Sequence, residues 1–169
     1  RFWSYSLVHA VAAQHLAKDR PGISLPEEAF AAGLLAGVGK LVFAVAMPRE
    51  YAEIIAQAGG ALADASALER ERFGADYRQA GGELLTEWGI PKRLAIAVEY
   101  QCEPDHAAVP PELQSLVRVV NEARQYAELI CVSGGDKTAT PPVEASPATT
   151  NDAQAADAQA AADARQANL

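Results

Sequence analysis

The feature that most constrains this chain is a helical period that runs almost from end to end. Apolar residues recur every three to four positions, and nowhere do β-branched residues alternate with polar ones as a half-buried strand requires. Trp3, Leu7, Val11 and His15 recur every fourth residue, with Val8, Ala12 and Leu16 beside them. This predicts a helix near residues 2–18 with those side chains along one face. Pro21-Gly22 breaks it. Ser24 and Pro26 ahead of Glu27-Glu28 suit a new helix start, with acids in the first turn. From Phe30 an apolar stripe through residues 34, 35, 38, 41, 42 and 45 keeps helical phase across Gly37 and Gly39, which mark a kink or a close helix approach.

Further helices follow from the same signals. Pro48 opens one that turns Tyr51, Ile54 and Ile55 inward, and Gly59-Gly60 closes it. Residues 61–73 end at Gly74. Asp76 can cap the next, which is expected to bury Leu84, Leu85 and Trp88. Residues 91–101 form another. The last core helix, about 111–131, places apolar residues at 113, 116, 117, 120, 123, 127 and 130. The expected class is all-α, a bundle of about seven helices in residues 1–132. Residues 133–169 are Ala, Thr, Pro, Asp and Gln with almost nothing bulky and apolar. They cannot bury enough to offset ordering and are read as a disordered tail.

Composition removes some function classes. A net charge of −8 gives no electrostatic invitation to nucleic acid. Cys102 and Cys131 form no metal-ligand spacing and suit free thiols in a reducing cytoplasm, with a disulfide between them as the alternative. Every long apolar run is interrupted by charge or glycine, so no membrane segment is expected. Arg1 opens mid-pattern without an initiator Met, and the chain is read as a piece of a longer one.

Four patterns stand in order: FWSYSLVHA, EEAFAAGLLAGVGKLVFAVAMPREY, ERERFGADYRQAGGELLTEWGIP and AIAVEYQCEP. Together they resemble the HDOD domain, the HD-related output domain of bacterial signalling proteins and response regulators, over roughly residues 1–130. The resemblance implies an HD-superfamily-like helical bundle, with the family's N-terminal helices largely ahead of Arg1, which would leave apolar faces of the first helices uncovered. The HD superfamily's enzymes are metal-dependent phosphohydrolases in which His and Asp side chains converge on one or two ions. In this sequence the first His position falls near Tyr5, the His-Asp pair at Ala36-Gly37, a further His at Tyr77, a His-His pair at Gln101-Cys102 and the closing Asp near Arg124. None of these is His or Asp. The resemblance therefore implies a vestigial site with no metal, no cofactor and no catalytic residue.

The expectation is a non-catalytic signal-transduction module that works through protein partners or an adjacent signalling domain. Its oligomeric state is left open. Two alternatives stand beside it. One is a divergent metal-dependent phosphohydrolase or cyclic-nucleotide phosphodiesterase. The other is a nucleotide-binding sensor that uses Lys40 and Arg124 as anion-binding groups. His9 and His15 are six apart, share no chelating face and are expected to be ordinary partly buried or surface histidines. Trp3 and Trp88 are expected as core anchors, Lys40 as a surface lysine or ion-pair partner. Arg70, Arg72, Arg78, Lys92 and Arg93 interleave with acids as a mixed surface. Gly33, Gly37, Gly39 and Gly81-Gly82 read as close helix contacts.

Overall fold

A computed structural model describes residues 2–23, 25–60 and 64–133. Among these the fold is all-α. Its elements are α1 (Phe2–Ala17), α2 (Pro26–Leu35), α3 (Val38–Ala46), α4 (Pro48–Ala58), α5 (Ser66–Phe73), α6 (Tyr77–Glu87), α7 (Lys92–Glu99), a single 3-10 turn (Pro111–Leu113) and α8 (Gln114–Ser133). The stripe that keeps helical phase across Gly37 and Gly39 divides at Ala36-Gly37 into α2 and α3, which supplies the eighth helix. The tail assigned to 133–169 lies, from 134 on, outside the described residues, as does Ser24.

Helix α1 packs on α2 and α8, α3 on α6, and α6 on α7. The main core is built from Ala13, Ala17, Ala29, Ala32 and Ala97 against Leu113, Leu116, Val117, Val120 and Ala123 of the last helix and its leading turn. Small residues decide the geometry. A Cβ on Gly39 would lie 1.8 Å from the Tyr77 carbonyl oxygen, and one on Gly33 would lie 2.9 Å from Ala10 Cα. The expected close helix contacts are therefore present, with backbone against backbone at both crossings.

This close packing overturns part of the sequence reading. Helix α1 buries Ser6, His9, Ala10, Ala13 and Ala17. Trp3, Leu7 and Val11 face outward, Trp3 with 72% of its surface exposed. The fourfold recurrence of large apolar residues was real, but the small-residue face one step round the helix is the one a neighbouring backbone can approach. Likewise α2 buries Ala29, Ala32 and Gly33 while Leu34 stays exposed. Trp88 is no core anchor either; it sits at the exposed end of α6, which buries Tyr77, Arg78, Gly81, Gly82 and Leu85. At the far end of α8, Ile130 is exposed, while residues 113 through 127 of the expected stripe are buried.

The stretch Pro26–Ala46 is long and apolar enough to span a membrane by length and composition, a point the sequence reading passed over because of its glycines. The bundle breaks it into two helices whose Ala29, Ala32, Gly33, Gly39 and Phe43 face inward.

Candidate functional site

The positions singled out in the sequence come from six places in the fold: Tyr5 from α1, Ala36-Gly37 from the α2–α3 joint, Lys40 from α3, Tyr77 from the start of α6, Gln101-Cys102 from the turn after α7, and Arg124 from α8. Helix α6 starts where it does because Asp76 caps it. Its carboxylate accepts from the Arg78 and Gln79 backbone N–H groups, and the Gln79 side chain accepts from the Asp76 N–H, a reciprocal capping box. The same carboxylate accepts from the Arg78 guanidinium at 2.8 Å and from Arg70.

Tyr77, placed by that cap, is the hub. Lys40 Nζ lies 4.6 Å from its ring centroid, and the Arg78 guanidinium 5.7 Å. Burial first, then the neighbouring Cys102, holds the Tyr77 hydroxyl far above the ordinary phenol range, while Arg78 and Arg124 act in the other direction. The Tyr5 hydroxyl is raised in the same way, by burial and then by Glu128, with Arg124, Cys131 and Cys102 also acting on it. Tyr5, Tyr77, Cys102 and Arg124 therefore share one electrostatic neighbourhood. Lys40 joins it: burial pushes its ammonium pKa down, Glu69, Asp64 and Glu128 oppose this, and Arg124 adds to it. It is neither a surface lysine nor, among the described residues, a salt-bridge partner.

Gln101, Ala36 and Gly37 do something different. Gln101 is buried, and its amide donates to the Ala36 carbonyl at 2.9 Å and the Val98 carbonyl at 2.8 Å. Asn121 donates to the Gln101 carbonyl at 2.7 Å. The side chain thus ties α7 to the α2–α3 joint, where α2 runs out of hydrogen-bond partners. Gly37 faces the Phe2 ring.

Three groups escaped the sequence reading. Arg78 was placed on the mixed surface, but it is buried; burial works against its charge, and the Asp76 hydrogen bond and nearby Cys102 outweigh this and hold it firmly protonated. Glu69 is fully buried and accepts from the Tyr77 N–H at 2.8 Å. Burial raises its pKa most, with the Tyr77 and Tyr51 contacts pulling it back. Its Glu-x-x-x-Phe-Gly motif was the available signal. His9 is fully buried rather than partly so. Its Nε2 donates to the Val120 carbonyl at 2.9 Å, and desolvation pushes its pKa down to about 4. The ring is neutral at pH 7, and its Nδ1 has no partner among the described residues.

An HD-type metal does not fit these groups. Two tyrosines are held protonated, the Gln101 amide is committed to backbone carbonyls, and Lys40, Arg78 and Arg124 bring positive charge into the same neighbourhood. Among the described residues no three His, Cys, Asp or Glu side chains converge as ligands.

The family model of the HDOD domain matches residues 1–104. The chain belongs to the HDOD family. The match ends before Arg124, so that assignment lies outside it. Solved HDOD-like structures superpose well. The MmoQ response regulator of Methylococcus capsulatus str. Bath is 36% identical with a TM-score of 0.62 over 75% of this chain and 49% of that one. A candidate phosphohydrolase from Shewanella amazonensis SB2B is 33% identical with a TM-score of 0.63, covering 75% and 45%. An HDOD domain protein of unknown function from Geobacter sulfurreducens is 25% identical with a TM-score of 0.65, covering 76% and 42%. This HDOD chain spans about half the length of these structures. No curated protein matches it.

Proposed function

We propose that this HDOD chain is a non-catalytic output module of a bacterial, cytoplasmic signalling protein, and that it acts by contact with protein partners or with an adjacent domain. The observation that carries this reading is the cluster around Tyr77. Cations and protonated hydroxyls gather among the positions that the resemblance assigns to the carboxylates and imidazoles with which an HD hydrolase generates hydroxide. The likeness to the MmoQ response regulator supports the signalling role.

The test is elemental mass spectrometry of untagged protein grown with iron, manganese and zinc, followed by hydrolysis assays on bis(p-nitrophenyl) phosphate. The expected result is under about a tenth of an equivalent of any metal and no turnover above a heat-inactivated control. One bound equivalent with turnover would overturn the reading.

One observation favours a second reading, a nucleotide sensor without turnover. Arg124 Nε is buried and has no acceptor among the described residues, and a guanidinium grips phosphate well. In that case nucleotide affinity falls in Arg124→Ala. Unchanged affinity, or none to begin with, removes it.

A further inference from the structure

We propose that the groove between α3 and α6 docks a basic amphipathic helix, apolar along one stripe and flanked by Lys or Arg. This rests on the protein-contact reading above and names its surface and partner class.

The groove holds about 570 Å³. Its floor is apolar: Val42 on α3 faces Ala80 and Leu84 on α6. One turn beyond Val42, Val45 leaves 83% of its surface in solvent, the most exposed large aliphatic side chain of the described residues. An apolar floor with an uncovered valine one turn further along the same helix suits the apolar stripe of a helix.

The rim fixes the charge of that helix. Glu83 and Glu87 stand four residues apart on α6, and Glu99 of α7 enters from behind Gly82, where a Cβ would lie 3.1 Å from its Oε2. None of the three is in a salt bridge among the described residues, and no Lys or Arg lines the groove. Elsewhere most arginines are already matched, Arg20 to Glu122, Arg93 to Glu28 and Arg118 to Asp105. The groove therefore presents unmatched negative charge around an apolar strip, and the complement is Lys or Arg around an apolar strip. A second copy docking through this same groove is a poor occupant, because it would bring the same carboxylates to face these.

The experiment uses the full chain and a fluorescein-labelled synthetic amphipathic helix of Leu, Ala and Lys, read by anisotropy at about 0.15 M salt, where long-range attraction is screened. Glu83→Lys with Glu87→Lys is compared with Glu50→Lys with Glu53→Lys on α4, which changes net charge equally. Circular dichroism confirms that both variants fold. Amide shifts of labelled wild type locate the site. We expect the α6 variant to lose about tenfold in affinity, the α4 variant to match wild type, and the shifts to centre on residues 42–46 and 80–87. Equal loss in both variants would reduce the effect to overall charge and overturn the proposal. So would shifts centred on the exposed Trp3, Leu7 and Val11 face of α1, or an absence of binding. None of these results bears on metal content or hydrolysis, so this surface and the non-catalytic reading fail separately.

Discussion

At the scale of single residues, two buried side chains carry consequences that titration and substitution can read. His9 is neutral in the folded protein because desolvation lowers its pKa to about 4 from 6.5. The unfolded chain therefore binds a proton in that interval and the folded chain does not. Stability contributed by the neutral ring is intact above about pH 6.5 and is lost as pH falls toward 4, by roughly 3 kcal/mol in total. Glu69 runs the other way, since its raised pKa makes protonation easier in the folded state. The pH profile of urea midpoints should steepen between pH 6.5 and 4 in wild type and flatten in His9→Gln. A profile unchanged by that substitution would show that the ring is not buried neutral. Gln101 offers a second test. Gln101→Met keeps the volume and leaves the Ala36 carbonyl without its donor, which should cost about 2 kcal/mol by chemical denaturation. Gln101 stood out in the sequence only through the resemblance to the HDOD pattern. What it does there was not, because its hydrogen-bond partner Ala36 lies sixty-five residues away.

At the scale of elements, caps and breakers were legible and faces were not. Pro26, Pro48, Gly59, Gly74 and Asp76 each begin or end a helix where local chemistry says they should, with Gly59 and Gly74 in the left-handed region at φ 96° and 81°. Trp3 was misjudged as a core anchor because the strength of a hydrophobic stripe counts large side chains, whereas α1 and α2 meet through Ala and Gly. That information lies in the partner helix, not in the segment itself. Gly39→Ala should cost at least about 3 kcal/mol or prevent folding, since the new methyl meets the Tyr77 carbonyl and neither backbone can yield. Thermal melts of Gly39→Ala and of Gly59→Ala, where nothing lies within 4 Å, separate crowding from backbone strain. Asp76→Ala removes the α6 cap and strands the buried Arg78, and a loss of roughly 3–4 kcal/mol is expected in the same assay. If Asp76→Asn recovers less than half of that loss, the ion pair outweighs the cap.

At the scale of the whole molecule, the charge-free α1 stands out. From Phe2 to Ala17 it carries no Asp, Glu, Lys or Arg, yet Trp3, Leu7 and Val11 lie in solvent. Leu7→Gln combined with Val11→Gln should leave the denaturation midpoint within about 0.5 kcal/mol of wild type while lowering binding of a hydrophobic dye; a marked loss of stability would mean that these side chains are covered. The crossings through Gly33 and Gly39 are built to a size ceiling. Where helix backbones touch through alanine and glycine there is little side chain left to trim, so the usual damage of a shrunken core has small purchase. Harm comes from a single added carbon. At those crossings it is bulk that a substitution must not bring, whatever its polarity.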